Sequence, residues 1–149
     1  MSEVVLTPTE IMEAAFCGVL RVCKVLQEDR GETCGGVREE AWPRHIEGAM
    51  GERVLAKHLN IYWHGVGNIC GTDVGEATEV RTTKHSNGCL ILHKNDADDK
   101  KYWLVTGAMG NYTVRGWMLG RDGKQDKYWS DPQETDRWAF FVPQSELSQ

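Results

Sequence analysis

The sequence predicts an α+β domain in which two N-terminal helices pack on a mixed, mostly antiparallel sheet. A helix-start signal at residues 7–10 precedes apolar residues at helical spacing, and a second helical pattern ends near residue 60. The chain from there to residue 142 is a run of short apolar segments separated by turn residues. With 149 residues, we expect a single domain: a helical part at 7–60, a sheet-rich part at 61–142 and a short polar tail at 143–149.

The composition, with 40% hydrophobic and 26% charged residues, is typical of a globular protein. The first ten residues lack a basic region followed by an apolar run, so we expect neither a signal peptide nor a membrane span. Five cysteines without CxxC spacing favour reduced thiols, and we expect a cytoplasmic location. A formal net charge of -5 argues against binding nucleic acid through overall charge.

The first helix begins at Thr7-Pro8-Thr9-Glu10, which combines a threonine cap, a proline at the first helical position and a glutamate three residues after the cap. Apolar side chains then recur at helical spacing, which predicts a helix near residues 8–27. A polar, glycine-rich connection over residues 27–36 follows it.

The second predicted helix, roughly Arg44 to Asn60, has Glu52 near the middle of an arc of small and apolar residues. A carboxylate that faces the interior needs a cation, a metal or a proton. Gly48 and Ala49 on that arc permit close approach to a sheet. The alternative is a helix covered only on its other apolar side, which leaves Glu52 in solvent.

The strands follow in order. Residues 61–70 form a connector that has room for a short strand, and residues 73–83 form a turn running into a strand. An Asn-Gly turn at residues 87–88 predicts that residues 89–93 return as the second strand of a hairpin. Further strands are predicted at residues 102–106, 112–119 and 139–142.

The stretch from Asp73 to Thr83 is the candidate functional segment. Side chains alternate along a strand, so Glu79 and Arg81 project from one face, about 6.7 Å apart along the strand. A bend at Gly75 brings the Asp73 carboxylate back toward Glu79. Two acids and a cation on one surface suit a divalent metal and an anionic substrate better than a packed core.

A glutamate on a core-facing helix, then an aspartate, then Glu-x-basic on a strand resembles the PD-(D/E)XK nuclease superfamily. The matching residues are Glu52, Asp73, Glu79 and Arg81, and Asp-Val-Gly followed by Glu-Val-Arg is similar to small phage and bacterial members. The resemblance implies a restriction-endonuclease-like core and metal-dependent phosphodiester hydrolysis. It also implies that Asp73 and Glu79 bind Mg²⁺ or Mn²⁺, that the Val80 carbonyl assists, and that Glu52 positions metal or water.

Arg81 stands where the superfamily usually has a lysine. Because arginine stays protonated, Arg81 can stabilise the phosphate charge of the transition state but cannot act as a general base. Lys84 replaces the missing lysine only if a bulge turns it to the same face. Lys84 and Arg115 are candidate contacts to nucleic acid, expected to be DNA, and a homodimer would suit cutting two strands.

Two further interpretations stay open. The acidic net charge and Arg81 favour a non-catalytic, nuclease-like module that binds a nucleic-acid or protein partner. A structural α+β domain is the other, in which Glu52 pairs with Arg81 and lies too far from Asp73 to share an ion.

Overall fold

A computed structural model describes residues 1–27, 41–65 and 72–149. The helices of these ranges are α1 (Pro8–Gln27), α2 (Ala41–Leu59) and the short α3 (Gly120–Gly123). The strands are β1 (Ser2–Val5), β2 (Thr78–Thr83), β3 (Leu90–Leu92), β4 (Lys101–Ala108), β5 (Asn111–Leu119), β6 (Trp129–Ser130) and β7 (Ala139–Val142). The α+β class is confirmed. The predicted connection over residues 28–36 and the end of the 61–70 connector lie outside the described residues.

The strands of the described residues form two sheets. Sheet 1 has the order β1-β5-β4-β2, and sheet 2 has the order β3-β7-β6. Pairing is antiparallel except between β2 and β4, which are parallel. The mixed, mostly antiparallel character is therefore confirmed, but it is divided between two sheets. The sequence pattern did not predict strands β1 and β6, which are edge strands of sheet 1 and of sheet 2, respectively. Nowhere in the described ranges is there a helix with the length and apolar character to cross a bilayer.

Helix α1 begins as its sequence predicts. The Glu10 amide donates to Thr7 Oγ1 at 3.3 Å, and Glu10 Oε2 accepts from the Thr7 amide at 2.7 Å. This reciprocal pair satisfies two backbone donors that a helix start leaves without partners. Pro8 needs no hydrogen bond at the first helical position.

Helix α2 is buried on almost every side of its middle, because it lies between α1 and sheet 1. Residues 49–52 and 54–56 are all buried, and Glu52 is only 6% exposed. The inward orientation of Glu52 is confirmed, and the alternative that leaves it in solvent is wrong. The helix ends at Leu59, and Asn60 follows in the left-handed conformation with a φ of 54°.

Close approach of α2 to sheet 1 depends on Gly51 and not on Gly48. A Cβ at Gly51 would lie 1.8 Å from Thr82 Oγ1 on β2, whereas a Cβ at Gly48 meets nothing within 4 Å among the described residues. We therefore expect Gly51→Ala to lower the free energy of unfolding by about 1–3 kcal/mol. Gly48→Ala is the matched control and should raise it by about 0.5–1 kcal/mol. Urea denaturation measures the free energy of unfolding of both variants. Equal changes in the two would contradict the close approach of Gly51 to Thr82.

Two cores lie on the two faces of sheet 1, and β4 contributes to both. Trp103 and Val105 pack with the helices, whereas Tyr102 and Leu104 pack with sheet 2. This double burial explains why residues 102–106 are buried without alternation. The resulting order of layers is α1, α2, sheet 1 and sheet 2.

The predicted hairpin between residues 73–83 and 89–93 is wrong. A turn does form, since the Gly88 amide donates to the His85 carbonyl at 3.0 Å. However, β3 pairs with β7 in sheet 2, and the partner of β2 is the parallel strand β4. Leu90 and Leu92 are fully buried in the second core, so their burial directs β3 away from β2.

Candidate functional site

Asp73 lies at the free edge of sheet 1. The chain turns at Gly75, whose φ is 63°, and the amides of Asp73 and Val74 both donate to the Thr78 carbonyl, at 3.1 and 3.2 Å. Asp73 Oδ2 in turn accepts from the Val80 amide at 2.9 Å. The predicted bend is present, and it aims the Asp73 carboxylate at the middle of β2.

The same geometry directs the Val80 carbonyl outward. The N–H and C=O groups of one strand residue point to the same side, and the Val80 N–H points to Asp73. Since β2 is an edge strand, the Val80 carbonyl projects on the side of the Asp73 carboxylate. The Val80 carbonyl oxygen therefore lies on the same side of β2 as the Asp73 carboxylate.

Glu79 forms an acid pair with Asp73, because each carboxyl group lies near enough to shift the pKa of the other. Burial raises the pKa of Asp73, and the neighbouring Glu52 carboxylate raises it further. Burial also raises the pKa of Glu79, and the charge of Asp73 adds to this against the opposing hydrogen bond from Lys100. The two groups share a site in which full ionisation is unfavourable.

Lys100 is the residue that sequence analysis missed. Its ammonium group lies 2.5 Å from Glu79 Oε1. The parallel register places it there: the Lys101 amide donates to the Ala77 carbonyl, so Lys100 enters β4 beside the start of β2. The basic pair at residues 100–101 was visible in the sequence, but without the parallel pairing of β2 and β4 nothing connected it to Glu79.

Glu52 finds its cation in Arg21 of α1. The two guanidinium nitrogens of Arg21 bind the two carboxylate oxygens of Glu52 at 2.6 and 2.7 Å. Trp63 Nε1 donates to Glu52 Oε2 at 3.2 Å, and Arg21 also donates to the Gly65 carbonyl. The predicted need of Glu52 for a partner is thus met by an arginine 31 residues earlier in the chain. The interpretation that paired Glu52 with Arg81 is wrong.

Glu52 nevertheless lies close to the acid pair. Its charge raises the pKa of Asp73, and the charge of Asp73 helps to raise the pKa of Arg21 against the opposing effect of burial. Helix α2 packs on the Val80 face of β2, while Glu79 projects from the opposite face, with Asp73 at the edge between them. This alternation explains why Glu52 does not join Glu79 directly.

Arg81 lies on the same face of β2 as Glu79, as predicted, but its side chain contacts other groups. Its guanidinium binds both oxygens of Asp96 at 3.0 Å, donates to the Ile91 carbonyl and lies 5.1 Å from the centre of the Tyr102 ring. Its charge still lowers the pKa of Asp73. The structure gives Arg81 an ionic partner, Asp96, in the turn between β3 and β4. The catalytic role of Arg81 stays a prediction.

The donor set at the acid pair fits a hard divalent cation. Two carboxylates and a backbone carbonyl are all oxygen donors, and Mg²⁺ is commonly held by one or two carboxylates together with waters and substrate phosphate. In residues 1–27, 41–65 and 72–149 there is no group of three His, Cys, Asp or Glu side chains arranged around a metal position. The residues therefore fit an open site shared with a phosphate better than a closed protein cage.

Lys84 and Arg115 come together on another part of sheet 1. They line a groove of about 300 Å³ that also includes Thr106 and Gly107. A bulge in β5 inserts Arg115 between the paired residues Val114 and Gly116, and its Nε donates to Thr106 Oγ1 at 2.7 Å. The structure thus gathers the two predicted nucleic-acid contacts, at a place apart from the acid pair.

Comparison with known proteins finds no matching family model, no matching curated protein and no matching solved structure. The interpretation of the site therefore depends on its own geometry.

Proposed function

We propose that this protein is a metal-dependent nuclease with a restriction-endonuclease-like core, which hydrolyses phosphodiester bonds of nucleic acid at the Asp73–Glu79 pair. The observation that carries the proposal is the pair itself: two neighbouring carboxyl groups at the β2 edge of sheet 1, with Asp73 held there by the Val80 amide and with both pKa values raised. Structural carboxylates are normally placed beside cations or backbone donors that lower their pKa. A pKa raised by burial and by a neighbouring like charge is instead typical of functional sites.

A divalent cation resolves the conflict at this pair. Mg²⁺ or Mn²⁺ held by Asp73, Glu79 and the Val80 carbonyl would offset the negative charges of the two carboxylates. When bound, such an ion supplies a water of lowered pKa for attack on the phosphodiester. Asp73 keeps its orientation through the Val80 amide, which leaves its second oxygen for the ion.

Two cations of the chain surround this position. Lys100, beside Glu79, takes the place that the resemblance assigns to a lysine and that Arg81 was predicted to fill. Its ammonium group stabilises negative charge on the phosphate as the bond breaks. Glu52 binds Arg21 and so holds a guanidinium group near Asp73, which replaces the predicted direct contact of Glu52 with the metal.

The substrate of this proposal is DNA, with Lys84 and Arg115 binding its backbone. Since the net charge is -5, binding must come from local cations and not from the overall field. The groove that contains both residues, which also includes Glu3, borders a second one. Lys84, Arg44 and His85 line the second groove together with Glu47. This run of basic side chains gives a phosphate backbone a path along sheet 1.

Lys100 and Arg81 have different roles in this proposal, so their removal should have different outcomes. Lys100→Met should lower kcat by about 100-fold, since its ammonium group acts on the transition state, and should also lower the melting temperature, since Glu79 loses its cation. Arg81→Met should lower the melting temperature through the loss of its pairing with Asp96, and should lower kcat less than Lys100→Met. Steady-state cleavage and thermal unfolding of both variants check this. A larger loss of kcat in Arg81→Met than in Lys100→Met would assign the catalytic role to Arg81.

The raised pKa values also predict how stability depends on pH. A carboxyl group with a folded-state pKa above its unfolded value contributes stability below the unfolded pKa, and this is lost as the pH rises through the folded pKa. Without divalent ions, Asp73 and Glu79 should therefore destabilise the fold at neutral pH. Mg²⁺ at 100 times its Kd should then add about 2.7 kcal/mol at neutral pH and little near pH 4.

Thermal unfolding across pH, with and without Mg²⁺, measures this dependence. Glu10 changes the pH dependence of stability in the opposite direction to the acid pair. Burial alone would raise the pKa of Glu10, but the hydrogen bond from Lys57 holds it below the ordinary value. Comparison with the double variant Asp73→Asn/Glu79→Gln isolates the acid pair from such groups. An equal effect of Mg²⁺ on wild type and double variant would contradict the assignment.

A second candidate function is a nuclease-like module that binds nucleic acid or protein without cleavage. The observation that favours it is that cations of the chain already pair with two of the three predicted acids, Arg21 with Glu52 and Lys100 with Glu79. A panel of single- and double-stranded DNA and RNA substrates with Mg²⁺ and Mn²⁺ separates the two functions. Cleavage that EDTA stops supports the nuclease, and binding without cleavage of any substrate supports the module.

A further inference from the structure

Helix α1 carries a stripe of three exposed apolar side chains on its solvent face. Met12, Phe16 and Leu20 are 66%, 64% and 50% exposed. They stand four residues apart and so lie on one face of the helix. The opposite face, which packs inward, is formed by Ala14, Gly18 and Val22. Contiguous exposed apolar side chains of this size mark interaction surfaces.

We propose that this stripe binds the same stripe of a second copy of the chain, as an antiparallel pair of α1 helices. Glu13 and Lys24 border the stripe and lie on the same flank, since eleven residues correspond to about 20° around the helix. Both side chains reach solvent: 54% of the Glu13 side chain is exposed, although its Oε2 also lies 4.0 Å from Arg53 Nε of α2. About a two-fold axis near residue 18, each Glu13 faces the second copy's Lys24.

This charge pattern selects a second copy in one orientation. In an antiparallel pair, equivalent flanks of the two helices face each other, so one negative and one positive group meet at each end. A parallel pair would place this flank beside the opposite flank of the second helix, so that Glu13 and Lys24 would not meet. Antiparallel helix dipoles also attract, and a self-complementary patch is what a two-fold symmetric dimer requires.

The small area of the stripe predicts a weak association. A helix of 20 residues is about 30 Å long, and one helix pair buries less than the roughly 800 Å² per partner of a standard interface. The dimer is therefore concentration-dependent. This inference is independent of the proposed nuclease activity, because no residue of the stripe belongs to the acid site.

Sedimentation equilibrium of the full chain from micromolar to millimolar concentration tests the dimer. The wild-type mass should rise from 16.8 kDa toward twice that value. Phe16→Glu should weaken association at least tenfold, while Met109→Glu, at another exposed apolar side chain, should leave it unchanged. Circular dichroism confirms that both variants fold. A wild type that stays monomeric, or a Phe16→Glu variant that associates like wild type, overturns the proposal.

Charge reversal tests the antiparallel orientation. Glu13→Lys or Lys24→Glu alone should weaken association several-fold, because each turns both end contacts into repulsions. The double variant Glu13→Lys/Lys24→Glu should associate like wild type. Single reversals without effect, or a double variant that remains as weak as the single ones, overturn the antiparallel pair.

Discussion

Asp73→Asn is expected to abolish metal-dependent cleavage, with a loss of about three orders of magnitude in kcat/KM. The charge stabilisation that a bound metal supplies is worth several kcal/mol, and each 1.4 kcal/mol is a factor of ten. Asparagine keeps an oxygen that accepts from the Val80 amide, so the turn at the sheet edge should remain. The variant therefore removes a charge and a ligand without removing the local structure. Initial rates on a plasmid substrate with Mg²⁺ measure the loss.

Asp131→Asn is the matched control for this variant. Asp131 accepts from the Asp136 amide in a loop before β7, and its substitution removes the same charge away from the acid pair. Its cleavage rate should equal that of wild type. Residual activity of Asp73→Asn above a tenth of wild type would show that the aspartate is not a required ligand.

Arg21→Met is expected to cause the largest loss of stability, about 3 kcal/mol in the free energy of unfolding. It leaves the Glu52 carboxylate, which is only 6% exposed, without its cation. Removal of one partner of a buried ion pair costs about 3–5 kcal/mol, and the lower end applies because the Arg21 side chain is 20% exposed. Urea denaturation gives the value directly.

The double variant Arg21→Met/Glu52→Gln separates loss of the pair from loss of packing. A neutral glutamine keeps an acceptor for Trp63 Nε1 and removes the unpaired charge, so most of the lost stability should return. Lys24→Met, at an exposed position of the same helix, should change stability by less than about 0.5 kcal/mol. If Arg21→Met alone is as stable as wild type, Glu52 does not depend on Arg21.

The features that the sequence predicted correctly depend on neighbours along the chain. The capping box of α1 spans four residues, and the inward face of Glu52 follows from helical periodicity alone. The approach of Asp73 to Glu79 needs only six residues and a bend at Gly75. Local backbone geometry sets each of these, so a single sequence is sufficient to predict them.

The features that it missed depend on pairing between distant segments. Periodicity shows that Glu52 is buried but not that Arg21 approaches it from another helix. It shows which side chains of β2 share a face but not which strand lies beside them, so the parallel neighbour β4, and with it Lys100, was missed. The hairpin prediction failed for the same reason, because burial of β3 in a second sheet outweighed the local turn.

Calorimetric titration with Mn²⁺ above the pH range of the two carboxyl groups tests the central claim that Asp73 and Glu79 form a divalent-metal site. We predict saturable binding to the wild-type chain and its loss in Asp73→Asn and in Glu79→Gln, with Asp131→Asn unchanged. Heats no larger than dilution for the wild type, or binding that survives in both acid variants, would contradict the claim.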